Sequence, residues 1–305
     1  MNAEYQHQEK QKKPVTLRLI MPEWQGGDYD LSVSSGELYP LGARLLDFLA
    51  PESTAETIKV PVEGYAPGLN RKKENGVVNQ AIVIRQMKAA MAILEEKMPD
   101  RVVTFGGECL VSQAPFDYLN GRCAGNLGII WIDSHPDVST PANHDREHAM
   151  VLGNLLGGGD PVMAKYVKHR IDPKKVLLVG QDKFDSVLET DIIKTLGLPV
   201  IKPQAVAQDS RAVLNWLRNS QIENIAIHLD LDVLNPSSFH SQLTNDPYST
   251  KKYPTVTGQL DLRQITRLLR DISANANVVG LTFAEYMPWD ALYLQKMMSQ
   301  LPIMR

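Results

Sequence analysis

The feature that most limits the fold is a repeated alternation, in which short apolar runs are each followed by a longer stretch with helical periodicity. Thr16–Ile20, Arg101–Phe105, Leu127–Ile132, Lys175–Val179, Asn224–Leu229 and Asn277–Phe283 are rich in Val, Ile and Leu without clean alternation. Strands read this way when both faces are covered. Between them, Ile84, Met87, Met91, Leu94 and Met98 recur at three- and four-residue spacing until Pro99 ends the run. Asp209 or Ser210 can cap a helix carrying Val213, Leu214, Trp216 and Leu217, and Asp261 with Gln264 makes a capping-box pattern before Ile265, Leu268 and Leu269. Such a chain predicts an α/β fold, a three-layer α/β/α sandwich around a mainly parallel sheet. No repeat or low-complexity linker interrupts it. Residues 14–305 are therefore expected to form a single domain behind a polar, mobile tail, residues 1–13.

Charge and cysteine content exclude several classes. The formal net charge is −3 with no long run of one sign, which speaks against a nucleic-acid or membrane-surface partner. The two cysteines, Cys109 and Cys123, are too few for a disulfide framework and suit a reducing compartment. No apolar run approaches the roughly 18 residues of a membrane span, and none at the N-terminus resembles a signal peptide. A cytoplasmic location is expected.

In parallel sheets ligands bind beyond the carboxyl ends of the strands, and the unusual residues of this chain fall there. Asp133-Ser134-His135-Pro136-Asp137 follows the run Leu127–Ile132. In extended chain Asp133, His135 and Asp137 would project to one side, and two carboxylates with an imidazole suit a divalent cation such as Mn²⁺ or Zn²⁺. Asp230-Leu231-Asp232 ends the run Asn224–Leu229 in the same manner. Unpaired aspartates there would be costly, and a cation removes the cost. Five ligands from two strand ends can hold two ions, enough to activate a bridging water.

These motifs carry a resemblance. DSHPD is similar to the D-A-H-x-D motif of the ureohydrolase family, which comprises arginases, agmatinases and formimidoylglutamases. HLDLDVLNP resembles its S-x-D-x-D-x-x-D-P motif, Gly106-Gly107-Glu108-Cys109 stands where the family has G-G-D-H, and Leu281–Pro288 resembles the segment ending E-x-N-P. All four occur in family order and span most of the chain. The resemblance implies a sheet of about eight strands, two divalent metal ions (Mn²⁺ by default) and a homo-oligomer, trimer or hexamer. It also implies hydrolysis of a C–N bond in a small guanidino or amidino substrate, releasing urea or a related product. Asp133 and Asp230 would bridge the ions, Asp137 would bind one, and His135 and Asp232 the other. Glu285 would pair with the cationic substrate, and His148 in Glu147-His148-Ala149-Met150 would shuttle protons to the leaving group, with His144 as a nearby competitor.

The pattern breaks at three places. Cys109 replaces the family's histidine ligand and Glu108 its aspartate. Cys109 can be a ligand that favours a softer ion such as Zn²⁺, a buried spectator, or the mark of an inactive relative kept as a binding or regulatory protein. The arginine-reading S-G-N-x-H-G stretch is absent after Ser139-Thr140-Pro141. Arg146 there would suit a carboxylate tail, and Asp185 could read an amino group. Finally, the extended segment Ser237–Val256, with Phe239, Tyr248 and Tyr253, can be a lid that sets specificity or an ordinary surface insertion. A formimino or amide hydrolase on the same fold is the nearest alternative enzyme.

Overall fold

The computed structural model describes residues 13–66, 71–250 and 255–304. In chain order the elements are β1 (Thr16–Met21), α1 (Ser35–Leu49), β2 (Glu56–Lys59), the hairpin β3 (Lys73–Glu74) and β4 (Val77–Val78), α2 (Gln80–Lys97) and β5 (Arg101–Gly106). There follow α3 (Gln113–Arg122), β6 (Leu127–Ile132), α4 (Val151–Leu156), β7 (Val176–Val179), α5 (Val187–Leu196), β8 (Val200–Ile201), α6 (Pro203–Gln208) and α7 (Arg211–Ser220). The chain closes with β9 (Asn224–Asp230), α8 (Leu262–Asn275), β10 (Asn277–Ala284) and α9 (Trp289–Ser299).

Eight strands form one sheet in the order β2-β1-β5-β10-β9-β6-β7-β8, and every pairing in it is parallel. All six strands read from the apolar runs are present. The two edge strands β2 and β8 carried no apolar run because β2 is largely exposed and β8 has two residues. Alternate residues of β6 face opposite layers. Leu127, Ile129 and Trp131 join a core with side chains from α2 to α5, while Ile130 and Ile132 join one with α6, α7 and α8. A third cluster packs Leu38, Tyr39 and Leu41 of α1 against Met287, Trp289 and Leu292. The Asp261–Gln264 capping box is formed as read. Ser210 precedes α7 without a side-chain cap bond, and Asp209 instead accepts from the Arg211 backbone N–H at 2.8 Å.

The chain fills β6, β7 and β8 outward, then returns to lay β9 between β6 and β10. The reversal puts four consecutive strands, β5-β10-β9-β6, at the sheet centre, where a crevice opens at the carboxyl ends. Tight backbone packing holds the crevice's floor. Gly107 donates nothing in side-chain bulk, and its carbonyl accepts from the Glu285 N–H at 2.7 Å. A Cβ at Gly107 would lie 1.8 Å from the Glu23 carbonyl oxygen, whereas one at the exposed Gly64 meets nothing within 4 Å. Overpacking costs about 1–3 kcal/mol. Gly107→Ala is thus expected to lower unfolding free energy by at least the upper part of that range in urea titration, with Gly64→Ala close to unchanged. Equal effects would contradict this packing.

Candidate metal centre

Three of the four central strands end in the same local device, an acid whose carboxylate accepts from the backbone N–H two residues on. Glu108 accepts from Leu110 at 2.7 Å, Asp133 from His135 at 2.7 Å, and Asp230 from Asp232 at 2.7 Å. Each acid turns the chain out of its strand and faces the crevice at once. The sequence expectation of alternation along extended chain is corrected here. Asp232 sits in a 3-10 turn, Leu231–Val233, the chain bends over residues 133–135, and Asp137 has a φ of 49°. Turns, rather than pleat, bring these side chains together.

Two groups of ligand atoms gather around Asp133, each with all members within 4.8 Å of one another: Asp133, His135 and Asp232, and Cys109, Asp133, His228 and Asp230; a third joins Cys109 to His148 and Glu285. Asp133 belongs to the first two, as a bridging carboxylate should. Its Oδ1 takes the His135 N–H and its Oδ2 the Trp131 indole N–H at 3.1 Å, leaving a lone pair on each oxygen. Cys109 opens a 3-10 turn, Cys109–Ser112, capped by Glu108, and its thiol donates to Asp230 Oδ2 at 2.9 Å. Glu108 therefore holds the turn that presents Cys109. Asp137 lies outside both groups but lines the same cavity, buried, with Oδ2 unpartnered.

The cavity holds about 290 Å³. Glu285 enters it from the end of β10 in a left-handed conformation, φ 59°, a strained state for a non-glycine residue. His148 Nδ1 lies 3.0 Å from Glu285 Oε1 and its Nε2 lies 2.9 Å from the Tyr29 hydroxyl, while the Tyr39 hydroxyl donates to Glu285 Oε2 at 3.2 Å. His144 also lines the cavity, but its Nδ1 accepts from the Arg146 backbone N–H at 3.0 Å.

Burial dominates the electrostatics. It raises Asp133 to about 7, with repulsion from Asp232 adding to it, and raises Glu285 to about 8, again with Asp232 adding. Asp230, Asp137 and the Cys109 thiol are pushed well up by burial and then by neighbouring carboxylates. Asp232 and His135 are the exception. Burial opposes both charges, but their mutual attraction holds Asp232 at about 2 and lifts His135 well above its usual range. Burial lowers His148 to about 3, helped by His135.

The donor set fits a divalent cation. It offers carboxylates that burial strips of water, an imidazole 3.0 Å from Asp232, a thiol, and two buried atoms without partners, Asp137 Oδ2 and His228 Nε2. The sequence reading missed His228, Tyr29, Tyr39 and Thr255, whose hydroxyl lies 2.7 Å from His135 Nε2. His228 had a signal, being polar within a buried strand and two residues before Asp230. The tyrosines and Thr255 reach the site only through tertiary folding.

Arg146 is engaged elsewhere, with its Nη1 on Asp145 at 2.7 Å and its Nε on the Asp28 carbonyl at 3.0 Å. Asp185 does line the cavity, accepting from Thr255 and Val256. Within Ser237–Val256, Gln242, Leu243, Thr244, Thr255 and Val256 line the cavity. Of its aromatic residues, Phe239 packs near Tyr286 and Tyr248 against Tyr293, neither lining the cavity, and Tyr253 lies outside the described residues.

The parallel sheet with a cluster of possible metal ligands at its carboxyl ends defines the class, an α/β protein with a candidate metal centre, and comparison with known proteins gives the family. The arginase family model matches residues 52–291, so the chain belongs to the arginase family. An arginase of Staphylococcus aureus (strain MSSA476) is 26% identical over 191 residues, a match spanning 59% of this chain and 61% of that protein's length. Among solved structures, Entamoeba histolytica arginase in complex with L-ornithine superposes with a TM-score of 0.72 at 17% identity, covering 93% of this chain and 96% of that one. Arginase from Bacillus caldovelox gives 0.71 at 19% identity, covering 91% and 92%. The fold is shared over those spans.

Protonation makes a checkable demand on the centre in the absence of metal. The raised acids keep protons in the folded state that the unfolded chain releases near pH 4, so stability drains as pH rises through their folded values of about 7 to 8. Below about pH 6.5 the lowered histidines, His148 and His228, act oppositely. Melting temperature of chelator-treated protein is accordingly expected to fall from pH 6.5 to pH 8, and added divalent cation to reverse the fall most strongly at pH 8. A flat profile without metal would show that the acids are not held protonated.

Proposed function

We propose that this chain is a hydrolase that cleaves the C–N bond of a guanidino compound and releases urea, using two divalent ions held by Asp133, His135, Asp137, Asp230, Asp232 and Cys109. The observation that carries the reading is convergence: ligands from the ends of β5, β9 and β6 share one cavity with Glu285 from β10 and with His148. Bound there, the ions would supply a water acidified toward neutral pH and positive charge facing the developing negative charge.

The chain's own groups account for the rest. Glu285 presents a carboxylate oxygen to the guanidinium and orients it against the ligand cluster. The Tyr39 hydroxyl fixes the other oxygen of that carboxylate. His148, bonded to Glu285 through Nδ1 and to Tyr29 through Nε2, can carry a proton from the cluster's side to the departing amine. It is better placed for this than His144, which is tied to backbone.

The cavity wall also speaks to the substrate. Asp185 and Glu189 line it and no Lys or Arg does among the described residues. Such a wall favours a guanidine without a carboxylate tail, or with a second cationic group, over arginine. Family resemblance further supports Mn²⁺ for the oxygen-and-imidazole group, a cytoplasmic trimer or hexamer, and a single catalytic domain. Among the described residues no helix is long and apolar enough to cross a membrane.

Urea release from a panel of guanidines, with metal added, tests the proposal. A carboxylate-free guanidine such as agmatine is expected to exceed arginine in kcat/KM. Glu285→Gln should cost about 10²–10³ in kcat/KM, and His148→Ala about 10²–10⁴ in kcat, with metal content retained in both. Product nitrogen appearing as ammonia or formamide would move the reading to the amide or formimino alternative. No turnover with full metal content would favour a binding protein.

A further inference from the structure

His228 is fully buried in β9, and the roles proposed above leave it without a task. Its ring stacks on Trp131, its cross-strand partner, with centroids 3.8 Å apart and planes 9° from parallel. Nδ1 lies 2.8 Å from the Ser112 hydroxyl. Nε2 has no hydrogen-bond partner, although it is aimed at Asp133 Oδ2, 3.7 Å away. A core histidine held only for packing would leave that nitrogen desolvated and unpaired, at a cost. One held as a ligand would look like this one, with a ring fixed in plane, the far nitrogen bonded to a hydroxyl and the near nitrogen free.

We propose that His228 is a metal ligand, and that Cys109, Asp133, His228 and Asp230 form a four-coordinate site for a borderline-soft divalent ion of the Zn²⁺ type. The inference rests on the metal-centre reading above and narrows it, with His228 taking the place there given to Asp137, which belongs to neither ligand group and lines the cavity. Tetrahedral bonds of about 2.0–2.3 Å set ligand atoms roughly 3.3–3.8 Å apart. Here Nε2 is 3.7 Å from Asp133 Oδ2, the thiol sulfur is 2.9 Å from Asp230 Oδ2, and all four donor atoms lie within 4.8 Å of one another. Small shifts would close the shell, the thiol giving up its proton to solvent as it does so.

The sequence departures point the same way. An imidazole is missing at the end of β5, where Cys109 stands, and an imidazole is present on β9, where the family motif begins with serine. Both changes fall in one cluster. One thiolate, one imidazole and two carboxylates select against Mn²⁺, which prefers harder, six-coordinate surroundings. The neighbouring group of Asp133, His135 and Asp232 contains no sulfur and carries no such bias.

The test uses the full chain, stripped of metal and titrated with Co²⁺ as a spectroscopic probe and with Zn²⁺ against Mn²⁺ in competition. Wild type is expected to show a thiolate-to-cobalt charge-transfer band in the near ultraviolet, the intense visible absorption of a four-coordinate ion, and at least a hundredfold preference for Zn²⁺ at one of two sites. His228→Phe keeps the stacking surface and removes the nitrogen. It should retain the charge-transfer band, lose the intense visible absorption and weaken Zn²⁺ at that site about a hundredfold, with a smaller effect at the second site, which shares only Asp133 with it. Ser112→Ala, which keeps the ligand and removes its support, should weaken Zn²⁺ about tenfold with the spectral shape preserved. Two cobalt ions bound with weak visible absorption that His228→Phe does not alter would overturn this inference alone. No ion bound by folded wild type would overturn the metal-centre reading on which it rests.

Discussion

Everything around the crevice answers to one constraint: Asp133, Asp137, Asp230 and Glu285 are buried close together, with the half-buried Asp232 beside them. Carboxylates so placed repel one another and lack solvation. Among the described residues His135 meets them directly, 3.0 Å from Asp232 and 3.6 Å from Asp133. The remaining acids can be accommodated as neutral groups or by an external positive charge. A fold with no use for such a charge could replace these residues by apolar ones at a gain in stability. Their retention at the ends of three adjacent strands is therefore the strongest physical argument for a metal site.

The sheet topology is what makes that concentration of charge possible. Placing β9 between β6 and β10 brings together strand ends that are far apart in sequence. Glycine at 107 lets the turn after β5 touch the Glu23 backbone, and this contact sets where Cys109 emerges. Glu285 pays for its position with a left-handed backbone, tethered by its N–H to Gly107. Strain in one acid and the absence of a side chain in one glycine are thus coupled through a single hydrogen bond between adjacent strands.

Much of this was legible in sequence because buried parallel strands announce themselves as apolar runs, and because ligands follow those runs directly. The six central strands, the α8 capping box and the clustering of Asp133, His135, Asp230 and Asp232 were readable for that reason. The edge strands β2 and β8 were not, since one is exposed and the other too short to bury a run. The way the aspartates converge was misread as well: the i to i+2 spacing reflects a carboxylate bonding the N–H two residues on, which bends the chain, rather than the pleat of a strand. Tyr29, Tyr39 and Thr255 have no local signature, because only the tertiary fold brings them to Glu285, His148 and His135. Arg146, a cation near the motif in sequence, follows the other reading open to it, a salt-bridge partner, with its Nη1 on Asp145 and its Nε on the Asp28 carbonyl.

The centre is electrically lopsided. On the Asp232 side attraction between His135 and Asp232 outweighs burial and favours charge on both. On the Cys109 side burial and neighbouring carboxylates favour the neutral forms of the thiol, Asp230 and Asp137. Asp133, raised to about 7, belongs to both groups. A cation bound on the Cys109 side would therefore offset the larger uncompensated cost, since the acids there repel one another and burial denies them solvent.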